Sequence, residues 1–102
     1  MISAKILTQL IKDDLGLIAV SELQFAKPRK FRFDLAIPKK KIAIEFEGGV
    51  FTRGRHTRSK GYLRDMEKYN LATLHGWKLL RYAHVDYSYN RILQDIKILI
   101  ND

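Results

Sequence analysis

The chain has 102 residues, of which 46% are hydrophobic, so it is long enough for one folded domain over residues 1–102 and too short for two. Nineteen Lys and Arg against eleven Asp and Glu give a formal net charge of +8, which favours nucleic acid as the partner over acidic membrane lipid. The sequence lacks cysteine, which excludes disulfides and thiolate zinc sites, and it shows no signal-peptide or membrane-span pattern, so a cytoplasmic protein is expected.

The first half of the chain predicts one helix followed by three strands. Ser3 is a suitable N-cap for a helix whose apolar residues recur at helical spacing, and Gly16 is a suitable end. A short strand is expected over Val20 to Phe25, because Pro28 interrupts the chain soon afterwards. A two-stranded hairpin is expected over Phe31 to Gly49.

The second half predicts a loop, a helix, a strand and a last helix. Val50 to Gly61 is rich in basic residues and reads as a loop, whereas Tyr62 to His75 has helix formers and is followed by a glycine. A strand is expected over Trp77 to Tyr82, and Asp86 or Ser88 can cap the last helix. The order α-β-β-β-α-β-α predicts an α/β domain with helices packed on the apolar side of a mixed sheet.

The predicted hairpin alternates apolar and polar residues in both strands. If its turn is centred between Lys39 and Lys40, Asp34 lies directly opposite Glu45, and the apolar side chains share one face. The apolar set consists of Phe31, Phe33, Leu35, Ile37, Ile42, Ile44 and Phe46.

The other face of the hairpin carries three carboxylates, those of Asp34, Glu45 and Glu47. Ala36 and Ala43 are expected to leave the surface around them open. Like charges on one face repel each other unless a cation lies between them. Mg²⁺ binds one or two carboxylates together with waters and phosphate oxygens, so the face predicts a magnesium site.

The alternative is a solvated charged face, in which Arg32 pairs with Glu47 and Lys41 pairs with a neighbouring carboxylate. A solvated face has no need of two alanines, and this favours the metal site.

The segments RFDLAIP, IAIEFEGG, GRHTR, DMEKYN and GWKLLRY, in this order, resemble the PD-(D/E)XK nuclease superfamily, particularly small phage-type endonucleases and Holliday junction resolvase-like proteins. The resemblance covers Glu22 to Tyr82. It implies a restriction-endonuclease-like fold and a DNA endonuclease that uses Mg²⁺, with Mn²⁺ able to substitute. Branched or duplex DNA is the expected substrate, without a small-molecule cofactor. Symmetric cleavage of a junction would require two active sites, and hence a homodimer is expected.

The resemblance also assigns residue roles. Asp34 matches the superfamily aspartate and Glu45 the acidic residue of the E-x-K element, whereas Glu47 stands where lysine is usual. The missing lysine would be replaced by Lys68 in the predicted helix or by Lys60 at the end of the basic loop.

Further roles are expected around these residues. Glu22 resembles an acidic residue that many members use as another metal ligand, with a plain surface carboxylate as the alternative. Asp65 is expected to pair with Lys68 at i, i+3 spacing. Basic residues near the hairpin are expected to bind DNA phosphates: Arg29, Lys30, Arg53, Arg55, His56, Arg58 and Lys60. The alternative functions are a non-catalytic nucleic-acid-binding module and a mismatch or strand-nicking enzyme on the same fold.

Overall fold

The computed structural model describes residues 2–47, 55–83 and 88–101, and for residues 55–60 and 62 it describes the helix backbone only. The elements are α1 (Ala4–Leu15), β1 (Val20–Gln24), β2 (Arg32–Ile37), β3 (Ile42–Phe46), α2 (Arg55–Leu74), β4 (Lys78–Tyr82) and α3 (Tyr89–Asn101), with a short 3-10 turn at Pro38–Lys40. The predicted α-β-β-β-α-β-α order is confirmed.

The helix ends follow the predicted capping residues. The Ser3 hydroxyl accepts a hydrogen bond from the backbone of the first turn of α1, and Gly16 ends the helix with a left-handed φ of +68°. At α3 the Ser88 hydroxyl accepts a hydrogen bond from the Arg91 N–H at 3.2 Å, whereas Asp86 lies outside the described residues. None of the described helices has the length and apolar content needed to cross a membrane.

The four strands form one mixed sheet in the order β1-β2-β3-β4. The β1–β2 and β2–β3 pairs are antiparallel, and β3 and β4 are parallel. Leu35 pairs with Ile44 and Ile37 with Ile42, so the predicted hairpin register is confirmed.

Helices cover both faces of this sheet. One face packs against α1 and α3 in a core that includes Leu7, Ile11, Leu35, Ile37, Ile42, Ile44, Ile92 and Ile96. On the other face Ala36 and Ala43 are fully buried and pack with Ala72 of α2. The expectation of an open polar face is therefore wrong, because the small alanine side chains let α2 lie close to the sheet.

Two of the predicted apolar residues lie on the α2 side instead of the α1 and α3 side. Phe33 belongs to the cluster under α2, where its ring stacks on Phe25 with 4.0 Å between centroids and meets the edge of Trp77 at 5.0 Å. Phe31 also lies beside α2, since the guanidinium of Arg64 is 5.9 Å from its ring. The expectation that all seven apolar residues share one face is therefore wrong.

The strand alternation breaks at Asp34. Phe33 and Leu35 are two residues apart and would share a face in a regular strand, yet they belong to different clusters. The Asp34 N–H donates to the Glu45 carboxylate, and the Asp34 carboxylate accepts from the Phe46 N–H. The paired residues of β2 and β3 end at Leu35 and Ile44, so these side-chain bonds stand where the regular pairing stops and the face changes.

Helix α2 begins earlier than predicted. The segment from Arg55 to Gly61 is helical and not a loop, while residues 48–54 lie outside the described part of the chain. Gly61 favours a loop in the sequence pattern, but one glycine inside a helix lowers helix stability by only about 1 kcal/mol. The Arg and Lys residues around it are good helix formers. The C-terminal end was predicted correctly, since Gly76 follows the helix with a left-handed φ of +84°.

Ala72 of α2 packs against the two alanines of the sheet. We therefore expect that a larger side chain at position 72 does not fit. Ala72→Leu is expected to lower the free energy of unfolding by about 1–3 kcal/mol, because the added atoms overpack the interface. Thr73→Leu is the matched control on the exposed side of the same helix, with an expected change within about 0.5 kcal/mol. Urea denaturation followed by circular dichroism measures both, and equal effects would contradict the close approach of α2.

Candidate functional site

Asp34 and Glu45 lie on the neighbouring strands β2 and β3, and two hydrogen bonds cross between the strands at this point. The Asp34 N–H donates to Glu45 Oε2 at 2.7 Å, and the Phe46 N–H donates to Asp34 Oδ2 at 2.8 Å. Each carboxylate is therefore held by the backbone of the opposite strand. The predicted juxtaposition of Asp34 and Glu45 is present.

Glu45 is a charged residue in the interior, with only 4% of its surface exposed. Burial raises the pKa of the Glu45 carboxyl, while the hydrogen bonds from Lys68 and from the Asp34 N–H act in the opposite direction. An ionised carboxylate in this position is costly unless positive groups compensate it.

Lys68 of α2 supplies the nearest positive charge. Its ammonium group forms a salt bridge with Glu45 Oε1, and its side chain is only 15% exposed. The predicted pairing of Lys68 with Asp65 is wrong, because the buried carboxylate on the sheet takes the ammonium group in place of the exposed one on the same helix.

Lys60 and Lys68, the two lysines predicted for the site, lie at different places along α2. Lys60 lies eight residues before Lys68 on α2, which places it about 12 Å away along the helix axis. The Lys60 side chain is outside the described part of the structure. Of the two, Lys68 is the lysine that contacts the carboxylates.

Glu47 joins the same network from the end of β3. Its Oε1 accepts from Arg81 Nη2 at 3.0 Å, and its Oε2 lies 3.2 Å from the Tyr69 hydroxyl. The same hydroxyl is 3.4 Å from Glu45 Oε1, so Tyr69 bridges the two glutamates. Glu47 is thus connected to Glu45 through Tyr69, and Glu45 is connected to Asp34 through the Asp34 N–H.

The predicted pairings of the solvated alternative are wrong. Glu47 pairs with Arg81 of β4 and not with Arg32. Lys41 donates to the backbone carbonyl of His75 at 2.9 Å instead of pairing with a carboxylate.

Tyr69 and Arg81 are site residues that the sequence did not reveal. Burial raises the pKa of the Tyr69 hydroxyl, and the charges of Glu45 and Glu47 raise it further, so the hydroxyl stays protonated and can donate. The Arg81 guanidinium lies 4.5 Å from the Tyr69 ring, and its hydrogen bond with Glu47 raises the pKa of Arg81. The sequence does not show the parallel β3–β4 register, and it is this register that pairs Arg81 with Glu45.

Glu22 lies at the register position opposite Asp34, between the Ser21–Leu35 and Leu23–Phe33 pairs. It has a left-handed φ of +54°, which is unusual for a residue with a side chain. No hydrogen bond or salt bridge links it to Asp34 or Glu45. Within the described ranges, no group of three or more His, Cys, Asp or Glu side chains is arranged to hold a metal ion.

Asp34 and Glu45 nevertheless fit a magnesium ion by their chemistry. Both supply hard oxygen ligands, and Mg²⁺ needs only one or two carboxylates because waters and phosphate oxygens complete its coordination. Asp34 Oδ1 takes no hydrogen bond from the described residues, since the Phe46 N–H donates to Oδ2. A cation here would also compensate the buried charge of Glu45.

The predicted DNA-binding residues have different surroundings. Arg29 forms a salt bridge with Glu67 and stands 4.7 Å from the Phe31 ring, whereas Lys30 lines a groove beside Lys68. The remaining basic residues belong to α2 or precede it. Arg55, His56, Arg58 and Lys60 lie in the first turns of α2 and their side chains are not described, and Arg53 is outside the described residues.

We expect that removing the charge of Lys68 and removing the charge of Glu45 lower the stability of the protein by different amounts. Lys68→Met is expected to destabilise the protein by about 3 kcal/mol, because it leaves a buried carboxylate without its cation. Glu45→Gln is expected to cost less, because Lys68 can turn towards solvent and the amide oxygen can still accept from the Asp34 N–H. A double-mutant cycle measured by urea denaturation gives the coupling energy, and a value near zero would contradict a stabilising contact.

Comparison of the chain with protein-family models, curated proteins and solved structures found no match. The functional interpretation of the site therefore depends on its own geometry and chemistry.

Proposed function

We propose that the protein is a metal-dependent DNA endonuclease of the PD-(D/E)XK type, which hydrolyses phosphodiester bonds and acts on branched DNA. One observation carries the proposal. Two carboxylates from adjacent strands, Asp34 and Glu45, each accept a hydrogen bond from a backbone N–H of the opposite strand, beside the ammonium group of Lys68.

The metal ligands in this proposal are Asp34 and Glu45, whereas the Glu47 oxygens contact Tyr69 and Arg81. Mg²⁺, or Mn²⁺ in its place, would activate a water and neutralise charge on the phosphate. Lys68 would orient the attacking water or stabilise the developing negative charge, which is the role of the usual E-x-K lysine. Glu47 occupies the position of that lysine, and Lys68 reaches Glu45 from α2 instead.

The proposed substrate follows from charge and size. A net charge of +8 on 102 residues favours binding to a phosphate backbone, and so small a domain has little surface for reading base edges. Recognition of DNA shape is therefore the preferred mode, and branched DNA offers a distinctive shape. Symmetric cleavage of a junction would need two active sites and hence a homodimer.

A second candidate function is a non-catalytic nucleic-acid-binding module. It is favoured by the hydrogen bonding of Glu45, whose two oxygens are already taken by Lys68 and by the Asp34 N–H. The buried charge is thus compensated without a metal. The cleavage assay separates the two functions.

The endonuclease proposal predicts loss of cleavage without loss of binding when either carboxylate is neutralised. Asp34→Asn and Glu45→Gln are each expected to lower the cleavage rate at least about 100-fold, while DNA affinity stays equal or rises because a repulsive charge is removed. Labelled four-way junction, flap, duplex and single-stranded DNA are incubated with Mg²⁺ or Mn²⁺, and with EDTA as the metal-free control.

Asp13→Asn is the matched control, since Asp13 is an exposed carboxylate on α1. Cleavage that persists in Asp34→Asn at the level of Asp13→Asn would refute the site assignment. Binding without cleavage by the unaltered protein on every substrate would favour the binding module.

We also expect that replacing Lys68 lowers cleavage, for a different reason from the carboxylate variants. Lys68→Ala is expected to lower the cleavage rate at saturating DNA by about 100-fold, because a charged donor next to Glu45 is removed. Lys97→Ala, an exposed lysine on α3, controls for the change in net charge. Single-turnover rates measure the effect, and a larger loss in Lys60→Ala than in Lys68→Ala would assign the role to Lys60.

A further inference from the structure

A groove runs between the start of β2 and the middle of α2, beside the carboxylate network. Its volume is about 300 Å³, and its lining includes Lys30, Phe31, Arg32, Arg64, Asp65 and Lys68. Four of these side chains are cationic and one is a carboxylate. The groove is therefore strongly positive.

Three of the four cations, Lys30, Arg32 and Arg64, form no salt bridge with the residues that the structure describes, whereas Lys68 is compensated by Glu45. Glu67 forms its salt bridge with Arg29 at the edge of this region, and the charge of Arg64 acts on Glu67 more weakly: Arg29 first and then Arg64 lower the pKa of the Glu67 carboxyl. Like charges that line one groove repel each other, and a bound anion relieves that repulsion.

Phe31 helps to hold Arg64 of the groove and Arg29 at its edge in place. Its side chain is buried, and the guanidinium groups of Arg29 and Arg64 lie 4.7 Å and 5.9 Å from the ring. Cation–π contacts of this kind favour a guanidinium near the ring and reduce the ordering needed to bind an anion. An arginine fork suits a phosphate, because it can bind two phosphate oxygens at once.

Lys68 links the groove to the carboxylates, because it lines the groove while its ammonium group contacts Glu45. We infer that the groove binds a backbone phosphate of a nucleic-acid strand, next to the scissile phosphate that the proposed function would place at Asp34 and Glu45. The identity of this strand rests on the proposed function. The presence of an anion site rests on the groove and its unpaired cations.

The test measures binding without catalysis. Fluorescence anisotropy of labelled duplex and single-stranded oligonucleotides is recorded in EDTA over a series of salt concentrations. Arg64→Ala is expected to weaken binding about tenfold near 0.1 M salt and to make the slope of log K against log salt shallower by about 1. The triple variant Lys30→Ala, Arg32→Ala, Arg64→Ala is expected to lose more on both measures.

Arg91→Ala is the matched control, because it removes the same charge from α3 on the opposite face of the sheet. Arg64 is exposed, so its variant is expected to fold, and thermal melting checks this. Equal losses in Arg64→Ala and Arg91→Ala would overturn the inference, because only net charge would then matter. Displacement of the oligonucleotide by inorganic phosphate at matched phosphate concentration would also overturn it, in favour of a free-phosphate site.

The two proposals fail in different ways. Groove-dependent binding in EDTA with no cleavage in Mg²⁺ or Mn²⁺ would refute the endonuclease and support the groove. Metal-dependent cleavage together with unchanged binding by Arg64→Ala would support the endonuclease and refute the groove.

Discussion

The burial of one carboxylate constrains the rest of the candidate site. Glu45 lies in a central strand beneath α2 with 4% of its surface exposed, and the loss of hydration makes its charge costly. Lys68 from α2 and the N–H of Asp34 provide the compensation, and the Tyr69 hydroxyl adds a weaker contact at 3.4 Å. The position of α2 and the chemistry of the strands are therefore coupled, because the compensating charge comes from the helix.

The two sheet alanines contribute to this site in a different way from the one that the sequence pattern predicts. Ala36 and Ala43 do not leave an open surface; they are buried and contact Ala72 of α2. Larger side chains at these positions would hold the helix farther from the sheet, and Lys68 would then lie farther from Glu45. Alanines at positions 36 and 43 are thus compatible with a charged site nearby, but the structural reason for their small size is the packing of α2.

Local patterns in the sequence predicted the local features of the fold. Capping by Ser3 and Gly16, the element order and the hairpin register depend on neighbouring residues, and they are present. The patterns failed where side chains from distant elements compete. The face of Phe33 changes next to the point where the Asp34 side chain bonds to the opposite strand, and Glu47 pairs with Arg81 because β4 lies beside β3. Strand order and helix position are not encoded in the periodicity.

Lys68 and Glu45 lie on different elements of the fold, one on α2 and the other on β3. The separation of the ammonium group from the carboxylate therefore depends on how α2 packs on the sheet. The Glu47 carboxylate contacts Arg81 of β4 and the Tyr69 hydroxyl. The two glutamates of the β3 end thus have different cationic partners, Lys68 of α2 for Glu45 and Arg81 of β4 for Glu47, so the charge balance of the site depends on both elements.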